Sequence, residues 1–136
     1  MYSRILVATD GSDAANRAVE HGLDLAETFS AELHAIYVVD TTRYGRSILG
    51  QDDGVLEELE ERGEELLEEI EERGAIDVTT AIRRGQPHEE IDQYADEINA
   101  DLILVGNRGM SAPDGTTLGS VAERVVRYSG RPVVTA

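Results

Sequence analysis

The sequence predicts an α/β fold, a three-layer sandwich with helices on both faces of a five-stranded parallel sheet. Three observations lead there. Five short apolar runs alternate with longer stretches whose apolar residues recur at three- and four-residue steps. The runs RILVAT and DLILV are almost continuously apolar, as suits strands buried on both faces. The first strand, helix and strand also fit within about 35 residues, the length of a right-handed βαβ unit.

Arg4 to Thr9 forms the first strand and ends at Asp10-Gly11-Ser12. The helix that follows runs to about Phe29. Thr9 or Ser12 can cap it, and Asp13 lies in its first turn, where negative charge is favourable. Ala14, Ala15, Ala18, Val19, Gly22, Leu25, Ala26 and Phe29 make its buried stripe, rich in small residues that allow close packing on a sheet. Glu32 to Val39 is the second strand, followed by Asp40. Residues 41 to 54 lack a period and contain three glycines, which marks a loop near the rim of a site.

From about Val55 to Arg73 a helical pattern returns, with Val55, Leu56, Leu59, Leu66, Leu67 and Ile70 inward. Residues 52 to 73 hold twelve acidic side chains and two arginines. An apolar stripe continues beneath them, so they read as a solvated face rather than an interaction tail. Gly74 stops this helix. Ala75 to Arg83 is a third strand, more polar than the rest and therefore expected at an edge, with Val78 and Ile82 inward. Gly85-Gln86-Pro87 turns into a helix from about His88 to Asn99, buried through Ile91, Tyr94, Ala95 and Ile98. Leu102 to Val105 is the fourth strand, Ser120 to about Tyr128 the last helix and Val133 to Thr135 the last strand.

A length of 136 residues fits one domain with a core that needs no metal or disulfide. Cysteine is absent, which excludes thiol nucleophiles and thiolate metal sites. The opening MYSRILVATD does not have the build of a secretion signal, and no apolar run is long enough to span a bilayer. These features predict a soluble, cytoplasmic protein. The formal net charge is -16, with 28 acidic and 12 basic residues, and all the basic ones are arginine. Such a surface repels nucleic acid. Acidic excess with complete loss of lysine also points to an extreme halophile, whose salt-rich cytoplasm screens the self-repulsion.

The stretch DLILVGNRGMSAPDGTTLGS carries the chemistry. Gly106 follows a strand directly, Gly109 comes three residues later, and Gly119-Ser120 opens a helix. Glycines at a strand exit and a helix entrance let main-chain amides approach a bound group. A helix start adds unpaired N–H groups and the positive end of the dipole, so a phosphate chain is the natural guest.

This spacing, G-x2-G-x9-G-S, resembles the nucleotide motif of the universal stress protein family, in its ATP-binding branch. The resemblance extends along nearly the whole chain. It implies an adenine nucleotide alpha hydrolase-like fold with strand order 3-2-1-4-5, so that the first and fourth strands meet at the topological switch where open α/β sheets bind ligands. It implies ATP, or AMP or ADP, as ligand. Asp10 matches the aspartate that helps hold the nucleoside and place a metal, here Mg²⁺ shared with the phosphates. Val38 matches the position whose main chain reads adenine. Gly106, Gly109, Gly119 and Ser120 would line the ribose and phosphates. Thr9 and Ser12 offer hydroxyls, and Arg108 either meets a phosphate or points to solvent. Thr116 and Thr117 lie within reach of the phosphate tail, with Met110 in the lid. The resemblance further implies a homodimer paired through the last strand.

The functional expectation is therefore an ATP-binding stress-response regulator or sensor. The alternatives are a slow Mg²⁺-dependent ATPase or nucleotide-transfer enzyme, or a nucleotide-free dimeric scaffold. No Walker A lysine exists and the turn DGSDAA lacks G-x-G-x-x-G. Without concentrated positive charge on the phosphates, hydrolysis should be slow or absent. His21, His34 and His88 are scattered and read as surface or structural, and no serine sits in a G-x-S-x-G elbow. A response regulator or flavodoxin would share the architecture but needs acidic, lysine or aromatic groups that this chain does not place suitably.

Overall fold

A computed structural model describes residues 2–42, 53–108 and 118–136. Its elements are β1 (Arg4–Ala8), α1 (Asp13–Phe29), β2 (Glu32–Asp40), α2 (Asp53–Arg73), β3 (Val78–Gly85), α3 (Pro87–Ile98), β4 (Leu102–Val105), α4 (Ser120–Tyr128) and β5 (Val133–Thr135). The five strands form one sheet in the order β3-β2-β1-β4-β5. Every neighbouring pair is parallel. The expected three-layer sandwich and strand order are both present.

Alternation along each strand feeds two separate cores. Ile5, Val7, Leu33, Ala35, Tyr37, Val39, Leu102 and Leu104 point to one face, where they pack with Ala18, Val19, Leu56, Leu67 and Ile70 of α1 and α2. Leu6, Ile36, Ile103 and Val105 point to the other, against Ile91, Tyr94 and Ala95 of α3 and Ala122 and Val125 of α4. Both cores exclude water almost completely: Ile5, Leu6, Ile36, Ile103 and Leu104 have no exposed surface. This explains why the central strands are apolar throughout, since neither face is available for polar residues.

Local chemistry sets the element ends. Ser12 is the N-cap of α1, its Oγ accepting from Ala15 N–H at 3.1 Å. Asn99 closes α3 in the left-handed conformation with φ 58°, a role its short polar side chain tolerates. Asp101 holds β1 in place, its Oδ2 accepting from the N–H groups of Ser3 and Arg4 at 2.7 and 2.9 Å. Those two bonds hold its carboxyl below the usual carboxylate range.

Two local expectations need correction. β3 begins at Val78 rather than Ala75 and extends to Gly85, because its ladder starts only where Val78 meets Leu33. Phe29 is not buried in the α1 stripe. It lies at the helix end, 45% exposed, edge-on to the ring of Tyr2. Of the loop expected at residues 41 to 54, residues 43–52 lie outside the described residues, and its last two, Asp53 and Gly54, already belong to α2.

Candidate functional site

The switch point falls between β1 and β4, which pair from Ile5–Leu102 to Val7–Leu104. Continuing that register places Thr9 level with Gly106, so the exits of the two strands stand side by side. The β1–α1 turn is tightly organised. Thr9 is buried, and its Oγ1 accepts from Gly11 N–H at 3.2 Å. Asp10 is exposed, with Oδ1 accepting from Ser12 N–H at 2.9 Å. Gly11 turns the chain at φ +85°, where a side chain would be strained.

The second strand contributes through its main chain. β1 and β2 pair as far as Ala8 opposite Ile36, and Thr9 N–H makes the last bond, to Ile36 O at 3.0 Å. Main-chain groups alternate sides along a strand, so the N–H and C=O of Val38 also point toward β1. There the chain has already turned away, and Gly11 N–H is engaged by Thr9. An N–H and a C=O therefore face the crevice at Val38, while its side chain packs in the α3–α4 core.

The exit of β4 meets this turn directly. Gly106 lies so close to α1 that a Cβ there would stand 2.6 Å from Ala15 N and 2.7 Å from Ala14 C. Its lack of a side chain is thus required by helix–strand packing, and not only by the approach of a ligand. Ser12 Oγ donates to Arg108 O at 3.5 Å, joining the two turns. Asn107 ties three segments. Its N–H donates to Ala136 O at 2.7 Å, its C=O accepts from Gly119 N–H at 2.6 Å, and its Oδ1 accepts from Arg17 at 3.4 Å.

Gly119 is therefore buried and fixed as the N-cap of α4, its own amide directed to Asn107 rather than into the crevice. Ser120 is exposed in the first turn, where no side chain caps the helix. The N–H groups at this helix start are what remains to meet an anion. Gly109, Met110, Thr116 and Thr117 lie outside the described residues. Arg62 of α2 was not singled out from the sequence. Its guanidinium comes within 3.6 Å of the position a Cβ on Gly11 would occupy, which brings a cation to the β1–α1 turn. No sequence signal marks this, because Arg62 sits on a glutamate-rich face and is placed only by how α2 crosses the sheet.

Comparison with known proteins matches the whole chain, residues 1–136, to the universal stress protein family model. The chain belongs to that family. Among its relatives, universal stress protein MJ0531 of Methanocaldococcus jannaschii is 36% identical over 98% of this chain and 81% of its own length. The solved structure of hypothetical protein MJ0577 superposes with a TM-score of 0.89 at 29% identity, covering 100% of this chain and 96% of that one. A universal stress protein solved in complex with cAMP is 28% identical, with a TM-score of 0.69 over 99% of this chain and 96% of its own. Family members of this fold thus include a nucleotide binder, and the crevice described above lies at the switch point where such folds take ligands.

Among the described residues there is no group of three or more histidine or acidic side chains that could cage a metal ion. Nor is any helix among them long and apolar enough to cross a membrane.

Proposed function

We propose that this chain binds an adenine nucleotide, ATP or its AMP and ADP relatives, in the crevice between β1 and β4 and acts as a stress-response regulator or sensor. One observation carries the reading: the main chain of Val38 opens into the gap where β1 turns away, beside a strand exit and a helix start held together by Asn107. A paired N–H donor and C=O acceptor suit a base edge, and the start of α4 suits phosphate. Thr9 and Asp10 stand where the ribose would lie. The cAMP complex of a relative supports the same ligand class.

Electrostatics decide what else the site needs. A phosphate about 5 Å from the Asp10 carboxylate is repelled by roughly 3 kcal/mol at an effective dielectric of 20. The helix start returns about 0.3–1 kcal/mol. Cations must supply the difference. Arg62 lies by the β1–α1 turn and Arg108 follows the β4 exit, and Mg²⁺ shared between Asp10, phosphate oxygens and water would suit the exposed carboxylate. Bound there, the ion would neutralise phosphate charge. Without lysine, the site favours retention of nucleotide over its hydrolysis.

β5 forms one outer edge of the sheet, and Val134 on it is 38% exposed. Pairing of this strand with a second copy would close that edge and give the homodimer.

The test is to denature freshly purified protein, identify any released nucleotide by mass, and measure ATP binding by calorimetry with Mg²⁺ at low and molar salt. Released adenine nucleotide and saturable binding, weakened at least tenfold in Asp10→Ala, support the reading. Absence of both overturns it.

A further inference from the structure

The opposite edge of the sheet, at β3, presents a second opening unrelated to the nucleotide crevice. The register fixes which way its main chain points. Thr41 N–H donates to Gly85 O, so the odd-numbered residues of β3 turn their main-chain groups toward β2. The N–H and C=O of Val78, Thr80 and Ile82 consequently point outward from the sheet. Among the described residues no strand pairs with them. A groove of about 370 Å³ runs along this edge, floored by Leu67 and Ile82 and walled by Glu64, Glu68 and Glu71 of α2. Among the described residues none of those three carboxylates is ion-paired with an arginine, in contrast to Glu60 and Glu97, which hold Arg84 and Arg83.

We propose that this edge takes an extended basic segment of a partner protein as a sixth strand. Main-chain bonds to Thr80 and Ile82 would hold it, as strand addition does generally. Side chains on one face of an added strand recur about every 6.6 Å, and one helical turn rises about 5.4 Å. Alternate arginines or lysines would therefore come abreast of Glu64, Glu68 and Glu71 in succession. Charge selects the occupant. A second copy of this chain would bring the same acidic wall against itself, on a molecule of net charge -16, whereas a basic segment is attracted.

The experiment uses an end-blocked peptide alternating arginine and valine, as long as the eight-residue β3. Binding is followed by fluorescence anisotropy and by exchange of backbone amides in the protein. Saturable binding that slows exchange at Thr80 and Ile82 is expected. The Glu64→Gln/Glu68→Gln/Glu71→Gln variant should bind about tenfold more weakly, as loss of three exposed pairs implies. A peptide of the same sequence with alternate amides N-methylated on one edge should lose binding, since its charge is kept and its strand pairing removed. Equal binding of the methylated peptide, no binding of either, or no effect of the glutamines would overturn the proposal. So would protection of Thr80 and Ile82 that grows with protein concentration in the absence of peptide, which would assign the edge to a second copy.

Discussion

Replacing Gly106 with alanine is expected to unfold the protein more easily whether or not nucleotide is present. The added Cβ would meet Ala15 N at 2.6 Å, Ala14 C at 2.7 Å and Ala14 Cβ at 3.0 Å. Comfortable separations are about 3.5 Å, so the β4 exit and the first turn of α1 must part by roughly 0.9 Å. The nearest contacts are main chain, which cannot rotate aside. Overpacking of this kind costs about 1–3 kcal/mol. The Ser12–Arg108 bond, already 3.5 Å long, would be lost as the turns separate, adding about 0.5–1 kcal/mol. A total of about 1.5–4 kcal/mol corresponds to a fall in Tm of about 6–16 °C for a domain of this size. Urea unfolding without nucleotide measures it. The Ala14→Gly change should not rescue the variant, because it removes only the longest of the three contacts. A wild-type midpoint for Gly106→Ala would refute the packing role and return this glycine to ligand approach alone.

Further outcomes follow from other contacts. Gly63→Ala should cost about 1–3 kcal/mol in urea unfolding, since its Cβ would stand 2.4 Å from the buried ring of Tyr37. Asp92 has a carboxyl raised first by burial, and its Oδ1 is buried with no hydrogen-bond partner among the described residues. A raised folded-state value means the charged form weakens the fold above it. Asp92→Asn should therefore stabilise the protein at pH 7, and the gain should vanish once pH falls below the unfolded value, about pH 4. Asp101 shows the opposite sign. Its lowered carboxyl stabilises above the unfolded value, and that contribution is lost as pH falls through the folded value. The gap in thermal stability between wild type and Asp101→Asn should accordingly be widest near neutrality and close on acidification below about pH 4.

Much of the fold was legible because two faces of one sheet must both be dry. That requirement writes itself as continuous apolar strands such as ILV and LILV, and as helical stripes of the kind Ala14–Ala15–Ala18–Val19. Ser12 was readable as a cap for a similar reason, since helix starts have a small vocabulary. Strand ends were less so: β3 starts where its partner allows, and Ala75 has no side-chain feature that forbids pairing. The site was legible only in part. Val38 reaches the crevice through its main chain, and what exposes it is the early departure of β1, not its own identity. Asn107 organises Ala136, Gly119 and Arg17 largely through N–H and C=O groups that every residue carries. Gly106 is recognisable as special, yet the neighbour that demands it, the first turn of α1 at Ala14 and Ala15, is distant in sequence.

In the proposed binding mode, one ligand spans from the main chain of Val38 to the start of α4. Titrating ATP and Mg²⁺ into isotope-labelled protein and following its amide resonances tests this most directly. The resonances of Val38, Ser120 and Val121 should move together along one saturable curve, while Phe29 at the far end of the sheet stays still. Saturation with Val38 unmoved, or no response at any of the three, would contradict the account.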